Sequence, residues 1–372
     1  MSARLMRLTG ALQAVDADVY VASQRPNQLY FVAAAEPVSD LPPVAYVLLA
    51  PPDLVIVPGA PFFFACRDHL PGVELASTEV GGSPLGADAT DALVAEIRRR
   101  GYRRVVLDAV SRETEAALRK SLPGVTLTLD PAFGPRLRRP KEPGELETIR
   151  AAAAIADLGM VAAFRAAQEP RGRGVSGRDI AAEATATMLR AGAEEASLQV
   201  AVGPATAYMG TGDWVYAPRR LLQPGDMLLV DMAIKFHGYL GDQTRTVVVG
   251  DGTPEQIELI RTVQAAYRAT VAAMRPGATS AELYAITTDL LEQRGWRRYF
   301  PHHISHGLGL GGDLPRVSAT SDDVLQVGDT LSCEPGVYIP GLGGARFENM
   351  LYLGPDGIEE LTQSPVDPVV GG

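Results

Sequence analysis

Five residues carry the most specific chemical signal in the chain. They are Asp231 in Leu228-Leu-Val-Asp-Met-Ala, Asp242 in Gly238-Tyr-Leu-Gly-Asp-Gln-Thr-Arg, His306 in Ser305-His-Gly-Leu-Gly-Leu, Glu334 in Ser332-Cys-Glu-Pro-Gly, and Glu348 in Gly343-Gly-Ala-Arg-Phe-Glu-Asn. Asp231 and Asp242 flank a turn at His237-Gly238. With the turn centred between Phe236 and His237, side-chain alternation makes the two acids cross-strand neighbours on one face. Facing carboxylates raise each other's pKa unless a counter-charge sits between them, and a divalent cation supplies that charge. Four carboxylates and one imidazole suit two hard or borderline ions such as Mn²⁺, Co²⁺ or Zn²⁺. Two such ions about 3.5–4 Å apart share a bridging water, lower its pKa and polarise a carbonyl for attack. Taken singly, each of the five is an ordinary strand acid or core histidine. The metal reading rests on their joint placement.

The elements that must position these residues recur along the chain. Gln223-Pro-Gly-Asp226 and Gln326-Val-Gly-Asp329 both precede a strand, a shift of 103. Ser176 and Ser280 both start a second helix, and Gly250 and Gly354 both end a second strand, shifts of 104. This pattern predicts a duplicated helix-helix-strand-strand unit with a shared site on a pseudo-twofold axis. Adding 103 to Asp231 gives Glu334, and the next strand holds Glu348, so the repeat is expected to reproduce the carboxylate pair. The first helix of the unit spans Gly144 to Gln168, with Glu145 and Glu147 in its first turn. The second starts at Ser176 as N-cap, with Asp179 three residues on, and stops at Gly192.

Upstream, from Ala17 to Leu129, the runs Val19–Val21, Val44–Leu49, Leu54–Val57 and Val105–Leu107 alternate with helical stretches such as Ala89–Arg100, which predicts an α/β domain. Four prolines from Pro131 to Pro143, together with Arg136, Arg138, Arg139 and Lys141, read as a linker, so the expected domains are 1–138 and 139–372. A length of 372 residues agrees with two domains.

Lys plus Arg number 34 against 44 Asp plus Glu, a net charge of -10 that gives a duplex phosphate backbone no attraction, so no nucleic-acid partner is expected. The apolar stretch Val44 to Ala65 is broken by Pro51, Pro52, Asp53, Pro58 and Pro61, which argues against a membrane span, and no membrane partner is expected. Asp16 and Asp18 interrupt the N-terminus before any signal-like apolar run, and Cys66 and Cys333 are too few for a disulfide framework. A cytoplasmic location follows as the expectation. Gly307-x-Gly309-x-x-Gly312 matches a dinucleotide fingerprint but runs into Asp313-Leu-Pro315 instead of a helix, so no phosphate site is expected. Cys333 is expected to be a small buried residue. Phe62-Phe-Phe64 is expected to pack into a core from a strand.

On these residues the chain resembles the creatinase/prolidase/methionine aminopeptidase group of pita-bread, M24-type metallopeptidases, and its Xaa-Pro aminopeptidase/prolidase branch in particular. Leu137-Arg-Arg-Pro-Lys-Glu-Pro-Gly-Glu-Leu146, Gln223-Pro-Gly-Asp226, His306-Gly-Leu-Gly-Leu310, Glu334-Pro-Gly-Val-Tyr338 and Arg346-Phe-Glu348 fall in that family's order and spacing, so the resemblance covers nearly the whole chain. It implies a creatinase-like α/β N-terminal domain and an α+β pita-bread catalytic domain with internal duplication. It implies two divalent metal ions on Asp231, Asp242, His306, Glu334 and Glu348, with Glu334 also the proton shuttle. Arg245 and Arg346 would orient the carboxylates. The implied activity is that of an Xaa-Pro aminopeptidase or dipeptidase acting on a peptide or small amide, and the implied assembly is a homodimer.

Two positions depart from the family pattern. Gly210, closing Gly203-Pro-Ala-Thr-Ala-Tyr-Met-Gly, stands where a substrate-binding His is expected, and Asp313 stands in place of a second His. His302, His303, Tyr208 and Tyr239 are candidate substitutes, and Asp313 could receive a substrate ammonium. His303 and Asp313 therefore join Glu334 as the expected catalytic residues. The alternatives are a relative with altered chemistry, a non-peptide amide hydrolase or lyase, and less favourably a silent binding module.

Overall fold

The computed structural model describes residues 2–32, 42–59, 61–77, 88–168, 174–208 and 219–370. The chain forms two units, Met1–Arg138 and Arg139–Gly372. No helix among the described residues is long and apolar enough to cross a membrane.

In the first unit the apolar runs become strands and the amphipathic stretches between them become helices. In chain order these are α1 (Ala3–Ala14), β1 (Val19–Ala22), α2 (Arg25–Val32), β2 (Val44–Ala50), β3 (Asp53–Pro58), α3 (Phe63–His69), β4 (Glu74–Leu75), α4 (Ala89–Arg100), β5 (Arg104–Leu107), α5 (Arg112–Ser121), β6 (Thr126–Leu129) and α6 (Phe133–Arg138). The sheet order is β4-β3-β2-β1-β5-β6. Every residue of β1 is buried, the pattern of a central strand covered on both faces. α4 starts where the Asp88 carboxylate accepts the N–H groups of Thr90 and Asp91, and stops where Gly101 turns left-handed at φ 71°. The expectation for Phe62-Phe-Phe64 fails. The segment folds into and before α3, whose buried residue is Cys66, and it leaves Phe62 36% and Phe64 42% exposed. Cys66 lies three residues from Phe63 and so takes the inward face of a helix, turning Phe64 outward.

The second unit contains α7 (Pro143–Gln168), α8 (Gly177–Arg190), β7 (Glu195–Val202), β8 (Met227–Phe236), β9 (Tyr239–Val249), α9 (Pro254–Ala273), α10 (Ser280–Glu292), β10 (Ser305–Gly307), β11 (Asp313–Val317), β12 (Thr330–Cys333), β13 (Gly336–Ile339), β14 (Gly343–Arg346), β15 (Asn349–Gly354), β16 (Gly357–Glu360) and β17 (Val369–Val370). Its sheets run β17-β9-β8-β7 and β11-β10-β12-β15-β16, with β13-β14 as a separate hairpin. α7 and α8 pack Ala156, Met160, Ala163 and Met188 onto Val200, Leu228 and Val230 of the first sheet. α9 and α10 pack Val263, Tyr267, Leu283 and Leu291 against Leu331, Leu351 and Leu353 of the second.

The duplication is visible in local chemistry. Asp226 accepts two hydrogen bonds from Arg220, at 2.7 and 2.8 Å, and one from the Gln223 N–H. Asp329, its counterpart, accepts two from Arg139, at 2.7 and 2.9 Å, and one from the Gln326 N–H. The helix starts need a correction. Ser176 caps α8 in a capping box with Asp179, but α10 is capped by Thr279 with Glu282, and Ser280 is already the first helical residue. Thr279 wins because its hydroxyl takes the Glu282 N–H, whereas the Ser280 hydroxyl donates to the Ser318 carbonyl. The shift at the caps thus becomes 103, equal to that at the two aspartates.

Candidate metal centre

The β8–β9 hairpin closes on the pair Phe236↔Tyr239, with His237 and Gly238 at φ 47° and 77° as its two-residue loop. This loop centre lies one residue beyond the one expected between Phe236 and His237. The register therefore moves by two: Asp231 stands opposite Thr244, and Asp242 opposite Ala233. The two acids still share a face because a shift of two preserves side-chain alternation, but they are diagonal neighbours.

β12–β15 and β13–β14 continue one register across the gap between them, which puts Glu334 opposite Glu348. By position in the repeat Glu334 corresponds to Asp231, Glu348 to Thr244, and Asp242 to Arg346. The expected repeated carboxylate pair is thus corrected: only its first member recurs. The mismatched members meet instead. The Thr244 hydroxyl donates to Glu348 Oε2 at 2.7 Å, the Glu348 N–H donates to the Thr244 carbonyl at 3.0 Å, and Arg346 donates to Asp231 Oδ2.

His306 comes in from β10, its N–H donating to Ser332 Oγ at 3.1 Å. Its Nε2 stands 3.5 Å from Asp242 Oδ2 and 3.3 Å from Glu334 Oε1. One ligand atom from each of Asp242, His306 and Glu348 lie within 4.8 Å of one another, and the same holds for His303, His306 and Glu334. Asp231 joins the group through the Arg346 guanidinium that also reaches Thr244 Oγ1 and the Tyr338 hydroxyl. The ring of His306 is oriented for a cation: Nδ1 faces the Gly307 carbonyl at 3.2 Å, so in the neutral ring Nδ1 carries the proton and the Nε2 lone pair faces two carboxylate oxygens.

The electrostatics agree. Burial, then the charges of Asp231 and Glu334, push the Asp242 carboxyl well above its ordinary range, and burial with Asp242 and Glu334 does the same to Glu348. Burial also raises Asp231, against the pull of Arg346. Burial would raise Glu334 too, but contact with His303 and the charges of His306 and Arg346 hold it at about 2. The surplus of buried negative charge, and a lone pair aimed at acids, fit divalent cations.

The remaining sequence candidates separate clearly. His303 joins the group, with Nε2 3.0 Å from Glu334 Oε1. His302 packs behind it, Nε2 3.0 Å from the Tyr338 hydroxyl, and burial with the Arg346 charge lowers it to about 4. Tyr239 is buried and donates to Glu145, while Tyr208 is exposed. Asp313 is not open to a substrate ammonium: its carboxylate lies 3.2 Å from the Lys141 ammonium, with both side chains 1% exposed. Gly210 lies outside the described residues. Cys333 is buried, and β11 follows the Gly307–Gly312 stretch where a dinucleotide site needs a helix. Arg245 donates to the Glu348 carbonyl and Asn349 Oδ1, holding the backbone of Glu348. Sequence reasoning missed the roles of Lys141, read as linker charge and as part of the Leu137–Leu146 run, and of Thr244. Thr244 lies two residues past Asp242, on the same strand face, and strand alternation alone could have found it.

Known proteins resemble this chain in sequence and in fold. The sequence profile of Metallopeptidase family M24 matches residues 147–355. The Xaa-Pro dipeptidase of Pyrococcus furiosus is 32% identical over 229 residues, 61% of this chain and 64% of that protein, so the chain matches less than two thirds of that relative's length. The Xaa-Pro dipeptidase of Lactobacillus helveticus is 30% identical over 257 residues, 67% of each chain. Among solved structures, an Xaa-Pro dipeptidase from Bacillus anthracis superposes with a TM-score of 0.84 at 23% identity over 98% of both chains. Dipeptidase PepE from Mycobacterium ulcerans does so at 0.81 and 26% identity, over 99% of this chain and 97% of that one. The chain belongs to metallopeptidase family M24, and its fold is the family's α/β N-terminal domain joined to a pita-bread domain.

Proposed function

We propose that the protein is a metal-dependent Xaa-Pro dipeptidase. The observation that carries this reading is the convergence of Asp242, His306, Glu334 and Glu348 around the His306 Nε2 lone pair, with Asp231 held beside them by Arg346. These five residues would hold two divalent ions, Mn²⁺, Co²⁺ or Zn²⁺. When bound, such ions polarise a carbonyl and make water nucleophilic near neutral pH. Glu334, whose Oε1 lies 3.3 Å from His306 Nε2, would take a proton from the attacking water as the hydroxyl adds to the carbonyl carbon. It then returns that proton to the proline nitrogen as the C–N bond breaks. Arg346 keeps Asp231 in place, and Thr244 fixes one oxygen of Glu348. Asp313, whose charge Lys141 balances, is assigned to supporting the loop after His306, not to catalysis. The choice of an Xaa-Pro bond is supported by the names of the relatives above.

A cytoplasmic homodimer completes the reading. It is supported by the two free, buried cysteines and by Leu158, Val161 and Leu189, exposed apolar residues of α7 and α8. Incubation of protein verified to hold Mn²⁺, Co²⁺ or Zn²⁺ with Xaa-Pro dipeptides, followed by mass spectrometry, should show free proline, and chelator should stop its release. A folded, metal-loaded protein that releases none would overturn the assignment in favour of a non-peptide amide.

A further inference from the structure

His303 Nε2 is buried and lacks an aligned hydrogen-bond partner, although Glu334 Oε1 lies 3.0 Å away. The other ring nitrogen decides what Nε2 can do. His303 Nδ1 stands 3.1 Å from Arg316 Nη2. A guanidinium only donates, so Nδ1 accepts, and the neutral imidazole then carries its proton on Nε2. Arg316 is well placed to impose this: it is the β11 residue opposite His306, and its backbone N–H donates to Asp323 Oδ2 at 2.8 Å. Binding a metal through Nε2 would force the His303 proton onto Nδ1, against the guanidinium. His306 has the opposite arrangement, its Nδ1 facing a carbonyl and its Nε2 open as a lone pair. Two imidazoles with centroids 5.5 Å apart thus present different chemistry to one site, His306 a ligand atom and His303 an N–H.

We propose that His303 is a catalytic hydrogen-bond donor: Arg316 fixes its Nε2–H tautomer, and that N–H serves the scissile carbonyl oxygen as negative charge gathers there. The proposal rests on the peptidase reading. It supplies an imidazole to a site in which the Asp313 position holds an acid already paired with Lys141.

The test combines kinetics, metal content and the tautomer itself. His303→Ala should keep the wild-type metal stoichiometry while kcat falls about a hundredfold, the low end for loss of one oxyanion donor, with KM little changed. His303→Gln, which offers an N–H at similar reach, should recover part of that loss. In Zn²⁺-loaded protein labelled with ¹⁵N-histidine, the NMR shifts of His303 should show a protonated Nε2 and an unprotonated Nδ1, and Arg316→Ala should abolish that preference. Loss of one metal equivalent in His303→Ala would make His303 a ligand and overturn the proposal, as would an unchanged kcat. An Nδ1–H ring overturns it whatever the activity. Absence of wild-type cleavage instead sinks the peptidase reading, so the two failures are told apart.

Discussion

Asp242 gets little help from the chain's own cations. Burial, Asp231 and Glu334 all oppose its ionised form, while the nearby Arg346 directs its hydrogen bond to Asp231. Asp242→Asn removes charge that a cation otherwise offsets. The metal-free variant should melt at or above the wild-type temperature, and the rise in Tm on adding metal should vanish together with cleavage. That rise corresponds to about 2.7 kcal/mol at a hundredfold excess over Kd. A variant that keeps both the metal-dependent rise and the activity would show that Asp242 is not a ligand. Asp313 and Lys141 make the opposite case, a buried pair complete without any ion. Asp313→Asn leaves the ammonium buried beside the Arg139 carbonyl at 3.2 Å without its counter-charge, and should cost about 3–5 kcal/mol in urea unfolding. The double change Lys141→Met, Asp313→Leu should recover most of it, and a single variant as stable as wild type would refute the role given to the pair. At this scale the sequence revealed which residues could do chemistry but not whom they touch. Asp313 looked available because its partner, Lys141, lies 172 residues away.

Elements deliver these side chains through close approaches that a sequence pattern registers only as a glycine. Gly241 sits on β9 beside Asp242, and a Cβ there would come within 2.7 Å of the Ala152 carbonyl oxygen on α7. Backbone cannot swing aside as a side chain can, so Gly241→Ala should push β9 and α7 apart at about 1–3 kcal/mol. The same displacement should weaken metal binding. Urea denaturation with isothermal titration of Mn²⁺ measures both, and wild-type values for both would refute this account of Gly241. The cap of α8 was readable, since Ser176 is used as the spacing indicates, whereas the start read at Ser280 gave way to Thr279 one residue earlier. Hairpin register was less readable. One residue of error in locating the His237-Gly238 loop moved Asp231 from Asp242 to Thr244 without changing its face, because alternation fixes the face and only the loop fixes the register. Phe62-Phe-Phe64 was misread since three apolar neighbours carry no period that separates a strand from a helix turn.

Over the whole molecule, the duplication was legible where it is structural and illegible where it is chemical. The Gln-x-Gly-Asp corners recur at 103 residues because each half needs the same buried acid to pin its turn. The site keeps this symmetry only at Asp231 and Glu334, because a binding pocket gains nothing from matching halves and the other positions have taken their own residues. Thus Thr244 answers Glu348, and Arg346 answers Asp242. This division has a consequence for how the protein is made. Arg346 reaches Asp231 across 115 residues of chain. At a synthesis rate of about 5–20 residues per second, that separation lasts roughly 6–23 s. For most of that interval β8 and β9 exist with two acids on one face and without the arginine that later lies against them. Thr244, opposite Asp231, and water are what they face until then, so that face cannot dry before Arg346 has been added. Final burial of the first half of the duplication is therefore timed by the second.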